Sequence, residues 1–335
     1  MLRKNLIRFV MVAVLISTFT IDAEAVMRFG IHSVLPDNQV DSGHDFFHLL
    51  LNPGDEQRLE IVLVNNTDDE IVALVDIATA TTNQNGIVEY TTRNMEPDSS
   101  LRFRMENIVT GPSDIVLPPN ESTSLFLDVQ MPEEAFEGVL AGGITLIEQE
   151  TEEDEVAEGM MIVNQFAFTK AIILRNTTEG VPAEFALNEI DVFQQIMRTN
   201  ISANIQNLSP RFVNEVMIEA FVTESGSDEV LFYNEMQEVQ FAPNSNFDFI
   251  IPLEANRLEP GTFTMNVVLS AGNNVWEFAE EFVVESQVAR EFNDNNIYLM
   301  EEPRNWLAIS LIAGGALVLV GTNIATIIYF KKKRK

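Results

Sequence analysis

Short stretches of alternating hydrophobic and polar residues, each ended by turn-forming residues, run through most of the chain. Residues 122–131 and 213–223 alternate in this way, and side chains that alternate along a backbone lie on opposite faces of a β-strand. The dipeptide Asn85-Gly86 is typical of a hairpin turn, because both residues tolerate positive φ. Between the two ends of the chain, no long segment has the 3.6-residue period of an amphipathic helix. The pattern therefore predicts an all-β fold.

The strand-like stretches form two groups, and we expect two tandem immunoglobulin-like β-sandwich domains. The first group spans residues 26–178 and the second spans 183–285. Between them the apolar pattern is interrupted. About seven short strands in about 100 residues, as in the second group, are typical of an immunoglobulin-like sandwich. Residues 286–305 are mostly polar, and we interpret them as a stalk.

The two ends of the chain have the patterns of targeting and anchoring segments. Residues 1–25 combine early basic residues, an apolar stretch and small residues at a cleavage position, which predicts a secretory signal peptide. A leader retained as an N-terminal anchor is the alternative. Residues 306–330 are apolar and uncharged, which predicts one transmembrane helix. The basic tail 331–335 is expected in the cytoplasm, so we expect a single-pass protein of the cell membrane with an extracellular body.

Charge and cysteine content narrow the choice of partners and source. The net charge is −31 at pH 7, and such a surface repels nucleic acid and attracts cations and basic partners. Solubility alone would also account for the acidic residues. The chain has no cysteine, whereas small extracellular domains of animals usually carry disulfides. The composition therefore favours a bacterial surface protein that does not bind nucleic acid.

No residue pattern points to catalysis. The chain has no phosphate-binding glycine-rich loop and no Gly-x-Ser-x-Gly turn. His44 and His48 are spaced so that two imidazoles could meet, but the glutamate of the metalloprotease motif is missing, so we expect ordinary polar side chains at the start of a strand. Gly142-Gly143 lies inside an apolar run, which indicates a bulge or a close backbone approach. We expect no catalytic residue, no metal and no cofactor, and hence no enzyme.

A strongly acidic block, residues 148–155, lies between the apolar runs 138–147 and 160–174. We interpret the block as the solvated tip of a long hairpin. Its oxygens could gather Ca²⁺, but it lacks the spacing of a dedicated calcium loop. Carboxylates are so numerous that no pair of them is by itself a sign of glycoside hydrolysis.

Several strings of residues resemble the WxL-interacting proteins of Gram-positive bacteria. In the first group these are LLNPG at 50–54, ATTNQNGIVEY at 80–90 and FEGVLAGGI at 136–144. In the second group they include FAPNSNFDF at 241–249 and LEPGTF at 258–263. The order of signal, two domains, helix and basic tail is similar as well, so the resemblance covers nearly the whole chain.

The resemblance implies that the first domain binds peptidoglycan and that the second binds host surface or matrix proteins. It also implies that the partners at the cell surface are proteins with WxL domains. The family provides no residue-level binding motif. From the chemistry of sugar binding we single out the turn that carries Asn83, Gln84, Asn85 and Tyr90, because exposed amides and aromatic faces bind sugars and loops present them. A simple hairpin turn, with Tyr90 in the core, is the competing interpretation.

Two other functions stay open at this point. One is a membrane-tethered enzyme that modifies the cell wall with carboxylates as its catalytic groups. The other is an extracellular assembly chaperone, because the edge strand of a sandwich can accept a strand from a partner.

Overall fold

The structure, a computed structural model, describes residues 27–41, 43–91, 97–149 and 167–299. The predicted signal peptide, transmembrane helix and basic tail lie outside these residues, as does nearly all of the acidic block. Within the described ranges, no helix has both the length and the hydrophobicity that a membrane span requires.

The chain divides into two compact units. The first comprises residues 1–185 together with 207–214 and 240–246, and the remaining residues form the second. The sequence pattern predicted two continuous segments. The assignment of 207–214 and 240–246 to the first unit is a tertiary feature that local patterns do not contain.

The first unit is a two-layer β-sandwich. Its strands are β1 (Phe29–Val34), β2 (Phe47–Leu50), β3 (Glu56–Asn65), β4 (Ile71–Thr79), β5 (Thr81–Thr82), β6 (Val88–Glu89), β7 (Val109–Thr110), β8 (Asp114–Leu117), β9 (Ser122–Gln130), β10 (Leu140–Glu148) and β11 (Ala167–Arg175). One sheet has the order β1-β3-β9-β7, the other has the order β2-β11-β10-β4-β8, and β5 and β6 form a small hairpin. Strand β2 runs parallel to β11, and the other described pairings are antiparallel.

The core of this unit lies between its two sheets because alternate side chains of each sheet are apolar. Leu59 faces Leu127 across β3 and β9, and Ile61 faces Leu125; all four are buried. They pack in one cluster with residues of the second sheet such as Ile144. Each such side chain stabilises the fold by about 2 kcal/mol through the apolar surface that it removes from water.

Strands β10 and β11 pair antiparallel, from Leu140 opposite Leu174 to Ile147 opposite Ala167. This confirms the pairing of the two predicted arms over residues 140–147 and 167–174, and residues 160–166 of the second arm lie outside the described residues. The register passes through Gly142 and Gly143 without interruption, so the two glycines mark a close approach rather than a bulge.

A short helix, α1 (Met105–Ile108), covers that place. A Cβ on Gly142 would lie 2.5 Å from Cγ of Met105, a contact far inside van der Waals distance. Glycine at this position therefore lets α1 lie directly on β10.

The second unit contains seven described strands in two sheets, the number typical of an immunoglobulin-like sandwich. They are β12 (Phe185–Gln195), β13 (Arg198–Asn207), β14 (Val213–Glu224), β15 (Val230–Phe241), β16 (Ser245–Pro252), β17 (Gly261–Ala271) and β18 (Asn274–Val284). The sheet orders are β12-β13-β16 and β15-β14-β17-β18. Alternate residues of β14, β16 and β17 are buried, as the sequence pattern predicted.

The expected stalk, residues 286–305, differs from the prediction in its first half. Residues Ser286–Asn295 form a helix, α2. The side chain of Asn293 exchanges hydrogen bonds of 2.9 and 2.8 Å with the backbone of Leu258, and Gln194 Nε2 donates to the carbonyl of Phe292 at 2.7 Å. The helix therefore packs on the second unit and does not extend away from it.

Candidate functional site

A cleft in the first unit is bordered by the segment 97–106. It has two adjoining parts that share Leu101 and Asn244. The smaller part, which we call the polar pocket, takes its polar groups from Thr79, Asp98, Arg104, Glu106, Asn244 and Asn246. The larger part, the aromatic groove, has a volume of about 410 Å³ and is lined mainly by Arg102, Phe103, Phe136, Leu140, Pro210 and Asn244. Ligand sites in proteins usually have volumes of about 300–1000 Å³.

One wall of the polar pocket is a network centred on Asp98. Its Oδ1 accepts hydrogen bonds from the backbone N–H and the hydroxyl of Ser100, at 2.8 and 2.5 Å, and its Oδ2 accepts from Asn246 Nδ2 at 2.5 Å. Asn244 Nδ2 donates to the carbonyl of Ser100 at 3.2 Å and to that of Leu208 at 2.9 Å. Asn244 has φ of +47°, a conformation that asparagine adopts more readily than most residues. The network fixes the amides that face the pocket.

A second group of residues that line the polar pocket is built around the carboxylate of Glu106. Its Oε2 accepts a hydrogen bond from the hydroxyl of Thr79 at 2.7 Å, and its Oε1 accepts from Arg104 Nε at 2.5 Å. Thr79 Oγ1 in turn accepts from the backbone N–H of Met105 at 2.8 Å. Burial alone would raise the pKa of Glu106, but the hydrogen bonds from Thr79 and Arg104 outweigh it and lower that pKa. Glu106 is therefore an anion with both oxygens occupied.

The aromatic groove combines aromatic rings with one exposed cation. The rings of Phe103 and Phe136 lie 5.8 Å apart at an angle of 51°. The guanidinium of Arg102 lies 5.4 Å from the centroid of the Phe103 ring and forms an ion pair of 2.6 Å with Glu134. Both partners of that pair are more than half exposed, so it contributes little to stability. Arg102 can therefore leave Glu134 and bind an anionic ligand with little loss of free energy.

The cleft therefore offers what a polar, partly anionic polymer would need. The amide nitrogen of Asn244 is engaged with Ser100 and Leu208, and its amide oxygen can accept a hydrogen bond from a hydroxyl or acetamido N–H group. The aromatic edges supply apolar contact area, and the guanidinium of Arg102 can bind a carboxylate in two-point fashion.

The structure places the four predicted binding residues on the β5–β6 hairpin. Asn83 forms the turn itself, because its Oδ1 accepts hydrogen bonds from the N–H groups of Asn85 and Ile87 at 2.9 and 3.2 Å. The side chains of Gln84 and Asn85 are exposed at the tip. None of these residues is among those that line the cleft, although Thr81 at the base of the same hairpin lines the polar pocket. Peptidoglycan binding by Asn83, Gln84, Asn85 and Tyr90 stays a prediction.

Tyr90, the fourth predicted residue, packs against a small cluster of Ala80, Ala141 and Ala242. Burial raises the pKa of its phenol. The position fits the competing interpretation of Tyr90 as a core residue.

His44 and His48 have different surroundings. His44 is exposed and bonds Asp41 at 3.1 Å. His48 lies on β2, where its Nε2 is buried without a hydrogen-bond partner among the described residues. Across the ranges that the structure describes, no cluster of three or more acidic or histidine side chains is arranged to hold a metal ion.

Sequence reasoning missed Arg102 and did not connect Asn244 with a site. The polar pocket joins residues near position 100 with residues near 245, and no local pattern links such distant positions. The one available signal was the string FAPNSNFDF, which contains Asn244 and Asn246.

Comparison with known proteins gives two family matches. The model of the WxL Interacting Protein peptidoglycan binding domain matches residues 29–148, and that of the WxL Interacting Protein host binding domain matches residues 157–294. No curated protein matches the chain.

Solved structures are similar only at low scores. A chain from the chaperone–tip adhesin complex of CFA/I fimbriae is 11% identical, with 77% of this chain and 99% of that chain covered and a TM-score of 0.31. The CupB2 chaperone of Pseudomonas aeruginosa is 11% identical, with 70% and 96% covered and a TM-score of 0.29. The Escherichia coli chaperone DraB is 12% identical, with 77% and 98% covered and a TM-score of 0.29. Similarity at this level carries no argument about function.

The two family matches cover most of the chain in the order that the sequence strings indicated, although the second match begins before β11 and so includes a strand of the first unit. The chain belongs to the WxL-interacting protein family of surface proteins.

Proposed function

We propose that this chain is a membrane-anchored surface protein that binds peptidoglycan through the cleft of its first unit. The family's peptidoglycan-binding domain covers residues 29–148, and the segment 97–106 lies within it. The observation that carries the proposal is the aromatic groove, where Arg102 is exposed beside Phe103 and forms an ion pair with the exposed Glu134. Peptidoglycan offers the matching groups, namely acetylated sugars and peptide carboxylates.

The second part of the proposal concerns protein partners. The host-binding domain of the family covers residues 157–294. We propose that this region contacts host matrix proteins and that the chain associates at the cell surface with proteins that carry WxL domains. The acidic surface, with a net charge of −31, favours basic faces on such partners.

We further propose that the body is extracellular and is held by one helix over residues 306–330. The support is the uncharged apolar run of that length followed directly by five basic residues. The N-terminal pattern of a secretory signal agrees with that topology.

Binding without catalysis is the remaining part of the proposal. The two carboxylates of the polar pocket, Asp98 and Glu106, accept hydrogen bonds on both of their oxygens. A general acid must hold a proton at working pH, and the lowered pKa of Glu106 works against that role.

The test uses the full chain, purified in detergent, with peptidoglycan isolated from a Gram-positive bacterium. We expect the protein to sediment with peptidoglycan in a saturable manner, to release no soluble fragments, and to recover a WxL-domain protein from a surface extract. Absence of saturable binding would contradict the first part of the proposal. Release of soluble sugars or peptides would contradict binding without catalysis.

A further inference from the structure

The turn between β12 and β13 presents hydrophobic side chains to solvent. The turn consists of Ile196 and Met197, which are 84% and 52% exposed. Two-residue hairpin turns of this kind usually carry Asn-Gly or Asp-Gly. Apolar residues at such a tip gain nothing from the folded unit, because they bury little surface there.

The same two residues have a strained backbone. Ile196 has φ of +49° and Met197 has φ of +58°, and a β-branched residue is rarely found in this region. An outlier of this kind costs about 1–3 kcal/mol and is most often kept at functional positions. The turn is therefore both strained and apolar, and neither property helps the isolated unit.

Two more exposed side chains lie beside this turn, just after α2. The N–H of Ile297 donates to the carbonyl of Met197 at 3.3 Å, and Ile297 is 58% exposed. The guanidinium of Arg198 lies 4.5 Å from the centroid of the Tyr298 ring, and Arg198 also donates to the Tyr298 hydroxyl. Ile196, Met197, Ile297 and Tyr298, together with Arg198, form what we call the apolar tip.

The position of the tip in the chain indicates what covers it. Trp306, where the uncharged apolar run begins, lies only seven positions after Leu299. A chain of seven residues spans at most about 25 Å. If residues 306–330 cross the membrane, the bilayer surface lies within that distance of the tip.

We propose that the apolar tip docks into the surface of the lipid bilayer in which the chain is anchored. This inference rests on the proposed membrane anchor. Ile196, Met197 and Ile297 would enter the region between headgroups and acyl chains, and Tyr298 and Arg198 would lie at the headgroup level, where amphipathic side chains are favoured.

Tethering makes a small contact area sufficient. A ligand held on a short linker faces its site at an effective concentration in the millimolar range, so three apolar side chains need not bind a free vesicle tightly. The acidic charge of the chain does not favour anionic headgroups, so the contact depends on apolar burial rather than on charge. Docking would fix the orientation of the second unit above the membrane.

The test uses the absence of cysteine from the chain. The full-length variant Met197→Cys carries an environment-sensitive fluorophore and is reconstituted in phosphatidylcholine vesicles with or without doxyl-labelled phosphatidylcholine. The matched control is Asn273→Cys, on the exposed turn between β17 and β18. The β12–β13 turn lies at the start of β13, and β13 runs away from it toward the start of β14. Met217 near the start of β14 pairs with Ser270, next to the β17–β18 turn. The two turns therefore lie at opposite ends of the strands.

We expect the emission maximum of the label at position 197 to shift to shorter wavelength on reconstitution, and the doxyl lipid to quench much of its fluorescence. The label at position 273 should show neither effect. The double variant Ile196→Ser/Met197→Ser, labelled at Ile297→Cys, should lose the quenching that Ile297→Cys alone shows. Vesicle flotation separates the two proposals. Protein that floats with vesicles but is not quenched at position 197 overturns the docking, and protein that does not float overturns the anchor and the docking together.

Discussion

Asn65 and Asn207 play similar parts at the ends of two strands, β3 and β13, where each amide donates to backbone carbonyls. Nδ2 of Asn65 donates to the carbonyls of Asp69, Leu117 and Pro118 at 2.8, 3.0 and 3.1 Å. Nδ2 of Asn207 donates to the carbonyls of Arg211 and Ala242 at 2.9 and 2.8 Å.

In both cases the Oδ1 accepts from the residue two positions later. Thr67 donates its N–H and hydroxyl to Asn65 at 2.9 and 2.8 Å, and Ser209 donates both groups to Asn207 at 3.1 and 2.5 Å. A buried amide that satisfies several backbone carbonyls holds a loop without regular secondary structure. The amide of Asn207 fixes the loop 207–214 in this way, and Pro210 in that loop lines the aromatic groove.

The first prediction follows from this arrangement. Asn65→Asp replaces a donor by an acceptor that faces three carbonyls, so the free energy of unfolding should fall by about 3 kcal/mol. Chemical denaturation measures the change. Asn66→Asp is the matched control, because Asn66 is the exposed neighbour, and it should change stability by less than about 0.5 kcal/mol. Equal effects of the two substitutions would contradict the role given to Asn65.

A second prediction concerns the close approach at Gly143. A Cβ at this position would lie 2.5 Å from both Cβ and the carbonyl oxygen of Tyr90. Gly143→Ala should lower the stability by about 2 kcal/mol, because backbone must move to relieve the contact. Gly30→Ala on β1 is the control, since a Cβ there has no atom within 4 Å. Thermal unfolding of both variants tests the account, and a neutral Gly143→Ala would refute it.

The strained turn at Ile196 and Met197 gives a third prediction. The double variant Ile196→Asn/Met197→Gly places the residues that a turn with two positive φ values prefers. We expect the free energy of unfolding to rise by about 1–2 kcal/mol in detergent solution. The measurement is denaturation of the variant beside the parent. An unchanged or lower stability would show that the turn is not under strain.

The fourth prediction is a pH dependence that arises from His48. Burial, together with the nearby Arg175, holds the pKa of His48 below its ordinary value of 6.5. The unfolded chain therefore binds a proton at higher pH than the folded chain, and stability falls as the pH drops through 6.5. His48→Gln should flatten the stability profile between pH 7 and 5.5.

Glu106 affects stability in a different pH range from His48. Its pKa is lowered from 4.5, so its contribution is present above pH 4.5 and is lost only at lower pH. A His48→Gln profile that still falls between pH 7 and 5.5 would contradict the assignment to His48.

The all-β fold could be predicted from the sequence because strand patterns are local. Alternation in residues such as 122–131 reports one buried face, and β9 occupies Ser122–Gln130. Helix α2 was not predicted because it is short and mostly polar. Its apolar face consists of Val288, Ala289 and Phe292, too few residues for a helical period to stand out in the sequence.

The cleft was beyond sequence reasoning for a different reason. Its residues come from separate parts of the chain, among them the segment 97–106 and loops near 210 and 245. Only the fold brings Ser100 and Asn244 within hydrogen-bond distance. The turn at Asn83 shows the contrast. Its residues are neighbours in the chain, and the turn forms where Asn85-Gly86 predicted it.

The cleft's role in binding peptidoglycan is tested most directly by charge reversal at Arg102. The substitutions Arg102→Glu and Arg58→Glu form a matched pair, because Arg58 is also more than half exposed, pairs with Asp128 and lies over the ring of Phe126, but is outside the cleft. We predict that Arg102→Glu lowers the affinity of the full chain for isolated peptidoglycan at least about tenfold, as the loss of one charge-assisted contact implies, and that Arg58→Glu leaves it nearly unchanged. Unchanged binding by Arg102→Glu, or equal loss in both variants, would contradict the assignment of the cleft.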